Sequence, residues 1–108
     1  MMAYESIKNI RHLVTEAGKL YQDRVFLRSL RNDVIQDITF EQFARECNAI
    51  AAWAAEQSKQ LGHGVRVAMI STNNALYARM MLGVMAGGGT TVYLDPQATV
   101  DVVCACLN

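Results

Sequence analysis

The chain has 108 residues, of which 52% are hydrophobic and 19% are charged, so we expect one folded domain rather than a disordered segment. Its ten basic and ten acidic residues give a net charge of zero, and this balance predicts no binding to nucleic acid or to an anionic membrane. The longest apolar run, 80–94, contains four glycines and is shorter than the ~20 residues of a membrane-spanning helix.

The compartment is predicted from the cysteines and from the first residues. Three cysteines cannot all pair within the chain, and Cys104 and Cys106 lie together in one late segment. A reduced protein is therefore the simpler interpretation. The first residues lack a basic region followed by an apolar run, so we expect no signal peptide and a cytoplasmic location.

The first elements are predicted to be a helix and a β-hairpin. Residues 7–21 carry apolar side chains at 3.6-residue spacing, which is typical of an amphipathic helix, and Ser6 or Asn9 could cap it. Two short apolar runs, 25–30 and 34–39, flank a polar turn and predict two antiparallel strands.

A second helix is predicted from Thr39 to about Leu61. Thr39 and Gln42 have the spacing of a capping box, and Gly62 is placed to end the helix. Five alanines between residues 49 and 55 allow another backbone to pack closely. We expect the apolar stripe of this helix to consist of Phe40, Phe43, Ala44, Cys47, Ile50, Ala51 and Ala54.

The second half of the chain alternates between strands and helices. Residues 65–70 and 90–94 are predicted strands, 75–86 is a helix that is apolar nearly all round, and Thr99 can cap a last helix, 100–107. The two strands should be parallel and joined by a right-handed crossover, with 90–94 buried on both faces. The fold class is therefore α/β: an N-terminal helix and β-hairpin followed by βαβ with a parallel sheet.

Two segments near the strands invite a ligand-binding interpretation. Gly87, Gly88 and Gly89 follow a helix and precede a strand, whereas phosphate loops place their glycines between a strand and the next helix, so a tight turn is the better interpretation. Residues 71–74 follow a parallel strand and precede a helix, where ligands of open α/β sheets gather. Both a ligand contact and ordinary helix capping remain open for 71–74.

The other candidate groups favour structural roles. Arg24, Arg28 and Arg31 could hold a phosphate, but solvated positions on an edge strand are the preferred interpretation. Neither histidine lies beside a plausible acid or nucleophile. Cys104 and Cys106 have neither zinc-site nor C-x-x-C spacing, so we expect core thiols. The two histidines are His12 and His63. For the cluster of Met80, Met81 and Met85, packing is preferred over a lipid pocket.

Several blocks taken together resemble the AMP-forming acyl-CoA synthetases and their adenylating relatives. Residues 38–43 are similar to the family's "(I/L)-T-(Y/F)-x-x-(L/F)" block, and residues 82–96 to its "L-(A)-x-x-x-A-G-G-x-x-V-P-L-D-P" block. Residues 61–68 and 71–74 are similar to the segments between them, and 7–27 looks most like the long-chain fatty-acid branch. The departures are Val65, where the family usually has Asp, and Tyr93, where it usually has Pro.

The resemblance implies that this single domain, 1–108, is the N-terminal fragment of a longer AMP-binding ligase and part of a larger adenylate-forming N-terminal domain. The parent would use ATP, Mg and coenzyme A to convert a carboxylic acid into an acyl-adenylate and then a thioester. We assign no catalytic, cofactor-binding or metal residue to this chain, because the family's phosphate loop and catalytic lysine have no counterpart in it.

Two partners are expected under this interpretation. The first is the remainder of the ligase chain, and the second is another copy of the same chain, because the apolar helix 75–86 should leave apolar surface exposed. The alternative function is a free-standing, non-catalytic α/β interaction or regulatory module, in which case no downstream ligase sequence would follow.

Overall fold

The computed structural model describes residues 7–70 and 75–107. The described part of the chain forms four helices and four strands, and each lies within a few residues of its predicted position. In chain order they are α1 (Ile10–Tyr21), β1 (Val25–Arg31), β2 (Val34–Thr39), α2 (Phe40–Leu61), β3 (Arg66–Ile70), α3 (Ala75–Ala86), β4 (Thr90–Leu94) and α4 (Val100–Leu107).

Local hydrogen bonds explain why α1 and α2 begin where they do. The Asn9 side chain accepts the backbone N–H of His12 at 2.8 Å, so Asn9 caps α1. The predicted capping box is confirmed, since the Thr39 hydroxyl accepts the Gln42 N–H at 3.1 Å and the Gln42 side chain accepts the Thr39 N–H at 3.0 Å. Gly62, with φ of 78°, ends α2 in the left-handed conformation.

The described strands form two separate pairs. β1 and β2 are antiparallel and are joined by Asn32 and Asp33, whose φ values of 52° and 62° suit the twist of a tight hairpin. β3 and β4 are parallel, with a register that runs from Arg66 opposite Thr90 to Ile70 opposite Leu94. The α/β fold class and the parallel pairing predicted from sequence are therefore confirmed.

The prediction that 90–94 is buried on both faces is wrong. No residue of β4 is fully buried, and Tyr93 is 49% exposed. Within the described residues β4 has one neighbouring strand, and α3 packs against it. A strand that lies at the edge of so small a sheet cannot be enclosed, however apolar its sequence is.

The core lies on the apolar stripe of α2. Phe43, Ala44 and Cys47 are buried there together with Val14 of α1, and Ile10, Leu27, Ile38, Ala78 and Leu82 pack around them. Further along the stripe, Ala51 and Ala54 are also buried. The predicted stripe is therefore the contact surface for both neighbouring helices, α1 and α3. Among the described helices, none combines the length and the hydropathy needed to cross a membrane.

Glycines bring α1 and α3 very close to α2. A Cβ atom on Gly18 would lie 2.5 Å from the Cβ of Ala44, and one on Gly83 would lie 2.6 Å from the Cβ of Ile50. A Cβ atom on Gly87 would overlap the backbone carbonyl oxygen of Ala51. Real Cβ atoms do not approach so closely, so the observed helix positions require glycine, which has no Cβ atom, at these sites.

We expect Gly87→Ala to lower the free energy of unfolding by about 1–3 kcal/mol, because α3 must move away from the rigid backbone of α2. Gly88→Asn is the matched control in the neighbouring position. Gly88 has φ of 83° with nothing within 4 Å of a Cβ, and Asn tolerates that conformation. Urea denaturation of both variants checks the prediction, and equal losses would contradict a specific clash at Gly87.

Candidate functional site

The candidate site is the carboxyl edge of the parallel strand pair. β3 ends at Ile70 and β4 at Leu94, and these two residues are paired, so both strands end at the same edge of the sheet. Crevices at such edges are where open α/β sheets bind ligands. The ligand contact or helix cap predicted for 71–74 lies outside the described residues. The described part of the site is the segment that follows β4.

The segment after β4 has a shape that is held by its own hydrogen bonds. The carboxylate of Asp95 accepts the N–H of Gln97 at 2.9 Å, and its backbone carbonyl accepts the N–H of Ala98 at 3.0 Å. The hydroxyl of Thr99 accepts the N–H of Val102 at 3.4 Å, as expected for the cap of α4. A proline at position 96 further restricts the chain. The turn therefore presents a preformed polar rim beside the sheet edge.

Two tyrosines form an aromatic surface next to this rim. The ring of Tyr93 in β4 lies 5.8 Å from the ring of Tyr77 in α3, and the hydroxyl of Thr91 donates to the Tyr93 oxygen at 2.7 Å. Sequence reasoning noted Tyr93 only as a departure from the family pattern. Its pairing with Tyr77 could not be predicted, because no periodic pattern links residues that lie in different elements.

The glycine turn does not offer its N–H groups to a phosphate. The N–H of Gly87 bonds to the carbonyl of Gly83 at 3.1 Å, that of Gly88 to Met85 at 3.1 Å, and that of Gly89 to Val84 at 2.9 Å. A phosphate cradle requires such donors to point at the ligand. All three donors are instead used to end α3, which supports the interpretation of this segment as a tight turn.

Arg24 and Arg28, in the hairpin region, contact different partners. Arg28 makes a two-point contact with Asp37 across the strands, with N–O distances of 2.7 and 3.1 Å. The hydrogen bonds from Arg28 lower the pKa of the Asp37 carboxyl. The guanidinium of Arg24 lies over the ring of Tyr21 at 5.9 Å from its centre. The Arg28 contact satisfies its charge on the exposed face, as the edge-strand interpretation predicts.

The two histidines lie in separate places. His12, in α1, accepts the backbone N–H of Lys8 at 3.1 Å and lies 3.9 Å from Glu16. His63 lies in the loop between α2 and β3, where its ring contacts the carbonyl oxygen of Gly64 at 2.9 Å. In the described ranges, no group of three or more His, Cys, Asp or Glu side chains is arranged to hold a metal ion.

The cysteines differ in environment, and the prediction of core thiols at positions 104 and 106 is wrong. Cys104 and Cys106 are exposed, because none of the residues described in α4 is buried. Cys47 is fully buried between α2 and α3. Burial, followed by the negative charge of Glu46, raises the pKa of the Cys47 thiol to about 12.

An ion pair beside Cys47 links the same two helices. Arg79 of α3 donates to the carboxylate of Glu46 in α2 at 2.5 Å, and the Cys47 sulfur lies 3.8 Å from the Arg79 carbonyl. Sequence analysis did not find this pair, since the partners are 33 residues apart. It adds a charged contact between α2 and α3 beside the buried Cys47.

Comparison with known proteins identifies the family. A model described as "AMP-binding enzyme" matches residues 14–108, and the chain belongs to this family. A search of curated proteins finds no match. The family membership is therefore established by the family model, over most of the chain.

Solved structures of adenylate-forming enzymes share the fold. The Klebsiella oxytoca NpsA N-terminal subdomain, in complex with 3-hydroxyanthranilyl-AMSN, matches with a TM-score of 0.70 and 25% identity over 93% of this chain and 24% of that chain. The fatty acid AMP ligase from Legionella pneumophila matches with a TM-score of 0.74 and 19% identity over 96% of this chain and 18% of that chain. The present chain thus spans a quarter or less of the length of these proteins.

We expect a thiol reagent at neutral pH to modify Cys104 and Cys106 in the native protein, and Cys47 only after denaturation. Cys47 is both enclosed and held protonated by its raised pKa, whereas the thiolate is the reactive form. Mass spectrometry of peptides after timed alkylation measures the three rates separately. Rapid native labelling of Cys47 would show that α2 and α3 do not pack as described.

We also expect the chain Met1–Asn108 not to bind Mg-ATP at micromolar concentrations. The reason is that all three N–H donors of its glycine turn are already bonded within the chain. Calorimetric titration is the measurement, and saturable heat at micromolar Mg-ATP would contradict the prediction. Gly88→Asn serves as a control, because a change in its heat would locate any binding at the turn.

Proposed function

We propose that this chain is the N-terminal structural portion of a cytoplasmic enzyme that activates a carboxylic acid with ATP to form an acyl-adenylate. The observation that carries the proposal is the family match over residues 14–108. The fold likeness to the NpsA N-terminal subdomain supports it. In this proposal the chain supplies the parallel strand pair and its carboxyl edge, and the remainder of the ligase chain is its partner.

The bound groups of the proposed parent are ATP, Mg and coenzyme A. The glycine turn, 87–89, does not fit ATP, because the N–H groups of the turn already donate to backbone carbonyls of α3. The acidic residues described do not gather into a metal site either. We therefore assign no residue of this chain to these groups, and we derive no step of the reaction through them.

A fatty acid is the favoured substrate, and coenzyme A the favoured acceptor of the acyl group. The support is the resemblance of residues 7–27 to the long-chain branch, together with the fold likeness to the Legionella pneumophila fatty acid AMP ligase. An aryl or amino acid is the alternative, and the 3-hydroxyanthranilyl-AMSN in the NpsA complex illustrates this class for that protein.

A free-standing interaction module is the second candidate. It is favoured by the exposed apolar side chains of α4, among which Val100 is 76% exposed, since such surface also suits a separate partner protein. The two candidates differ in the downstream reading frame. A ligase requires continuation into a loop rich in Ser, Thr and Gly that carries a lysine, whereas the module requires a stop after Asn108.

We expect the chain extended through its natural downstream sequence to catalyse carboxylate-dependent exchange of labelled pyrophosphate into ATP. The exchange is measured over a panel of fatty, aryl and amino acids, with the chain Met1–Asn108 as the inactive control. Exchange with amino acids alone would overturn the fatty-acid assignment. A folded, extended protein that shows no exchange with any acid would overturn the proposed activity.

A further inference from the structure

An apolar cavity of about 240 Å³ lies where α1, β1, α2 and α3 meet. It is separate from the candidate edge, because none of its lining residues belongs to β3, β4 or the turn after β4. Six side chains that form most of its wall are Leu13, Ala17, Phe26, Phe40, Phe43 and Leu82.

The wall of this cavity consists almost entirely of hydrocarbon. Tyr21 is the one lining residue whose side chain carries a polar atom. An ordered water molecule needs two to four polar partners, roughly, so water gains little by entering. A charged ligand would lose its hydration without finding a counter-charge among the lining side chains. The chemistry of the wall therefore selects an uncharged, apolar occupant.

Aromatic rings form one side of the cavity. Phe40 contacts Tyr21 and Phe26 with ring centres 4.9 and 4.8 Å apart, and Phe26 contacts Phe43 at 4.7 Å. All three pairs are tilted, by 45° to 55°, which is a favourable arrangement for aromatic side chains. A ligand with an aromatic ring would find other aromatic rings along this side of the cavity.

The size and access of the cavity also fit a small ring compound. An engineered apolar cavity of about 150 Å³ in another protein stays dry and binds benzene, so the volume here accommodates one ring or two fused rings. Phe26 lines the cavity and is 39% exposed, so the wall at this point reaches the protein surface. Phe26 is therefore the point at which a ligand from solvent would first meet the cavity wall.

We propose that this cavity is a binding site for a small, uncharged aromatic molecule of one or two fused rings. This site is additional to the carboxyl edge of the sheet and does not depend on the proposed ligase activity. Its occupation would tie α1 and β1 to the stripe of α2, because the ligand would contact all three elements.

Ligand-observed NMR titration of the chain Met1–Asn108 with benzene and indole tests the proposal, with benzoate as the charged comparison. We expect saturable binding of benzene or indole and none of benzoate. Ala17→Leu, which fills the cavity, should weaken binding by at least about tenfold. Ala52→Leu is the matched control on the exposed face of α2, and it should leave the affinity unchanged within about twofold.

Circular dichroism establishes that each variant is folded, and Leu13→Phe fills the same cavity from another position if Ala17→Leu does not fold. Binding that Ala17→Leu or Leu13→Phe abolishes and Ala52→Leu preserves would support the site. Signals that never saturate, or that are equal in all folded variants, would mean partition onto exposed apolar surface and would overturn it. Equal binding of benzoate and benzene would overturn it as well.

Discussion

Helices α1 and α3 approach α2 so closely that three of their positions have no room for a Cβ atom. Gly18 faces Ala44 at one crossing, while Gly83 of α3 and Gly87, the residue just after α3, face Ile50 and Ala51 at the other. The stripe of α2 and the glycines beside it are therefore complementary parts of one interface. Close backbone approach maximises dispersion contacts, but it also makes the interface intolerant of even one added methyl group.

The position of the candidate edge follows from this interface. Gly87 ends α3 directly against α2, Gly88 turns the chain at φ of 83°, and Gly89 passes Val65 so closely that a side chain would clash. The N–H of Thr90 then donates to the carbonyl of Val65 at 2.8 Å, and β4 begins beside β3 in parallel register. The three glycines thus act through geometry, by carrying the chain from a tightly packed helix to an adjacent strand.

Features controlled by neighbouring residues could be predicted from sequence, whereas features controlled by distant residues could not. The cap at Thr39, the stop at Gly62 and the stripe of α2 depend on spacings of a few residues, and all three predictions are confirmed. The contact between Glu46 and Arg79 joins residues 33 positions apart, and no local pattern encodes it. The exposure of Cys104 was missed for the same reason, because composition indicates a tendency to be buried but not which element supplies the cover.

The exposure of apolar residues in β4 and α4 bears on how the chain relates to its family. Val92 and Leu94 give β4 an apolar sequence, and α4 carries Val100, Val102 and Leu107, yet neither element is enclosed within the described residues. Sequences that evolve as solvated edges carry charge or proline to prevent association, and β4 has neither within its five residues. Under the proposed function, this mismatch has a direct physical explanation: β4 and α4 have the composition of interior elements because the remainder of the ligase would cover them. The same mismatch would drive association between copies of the isolated chain, since apolar surface of this kind is stabilised by any partner that excludes water from it.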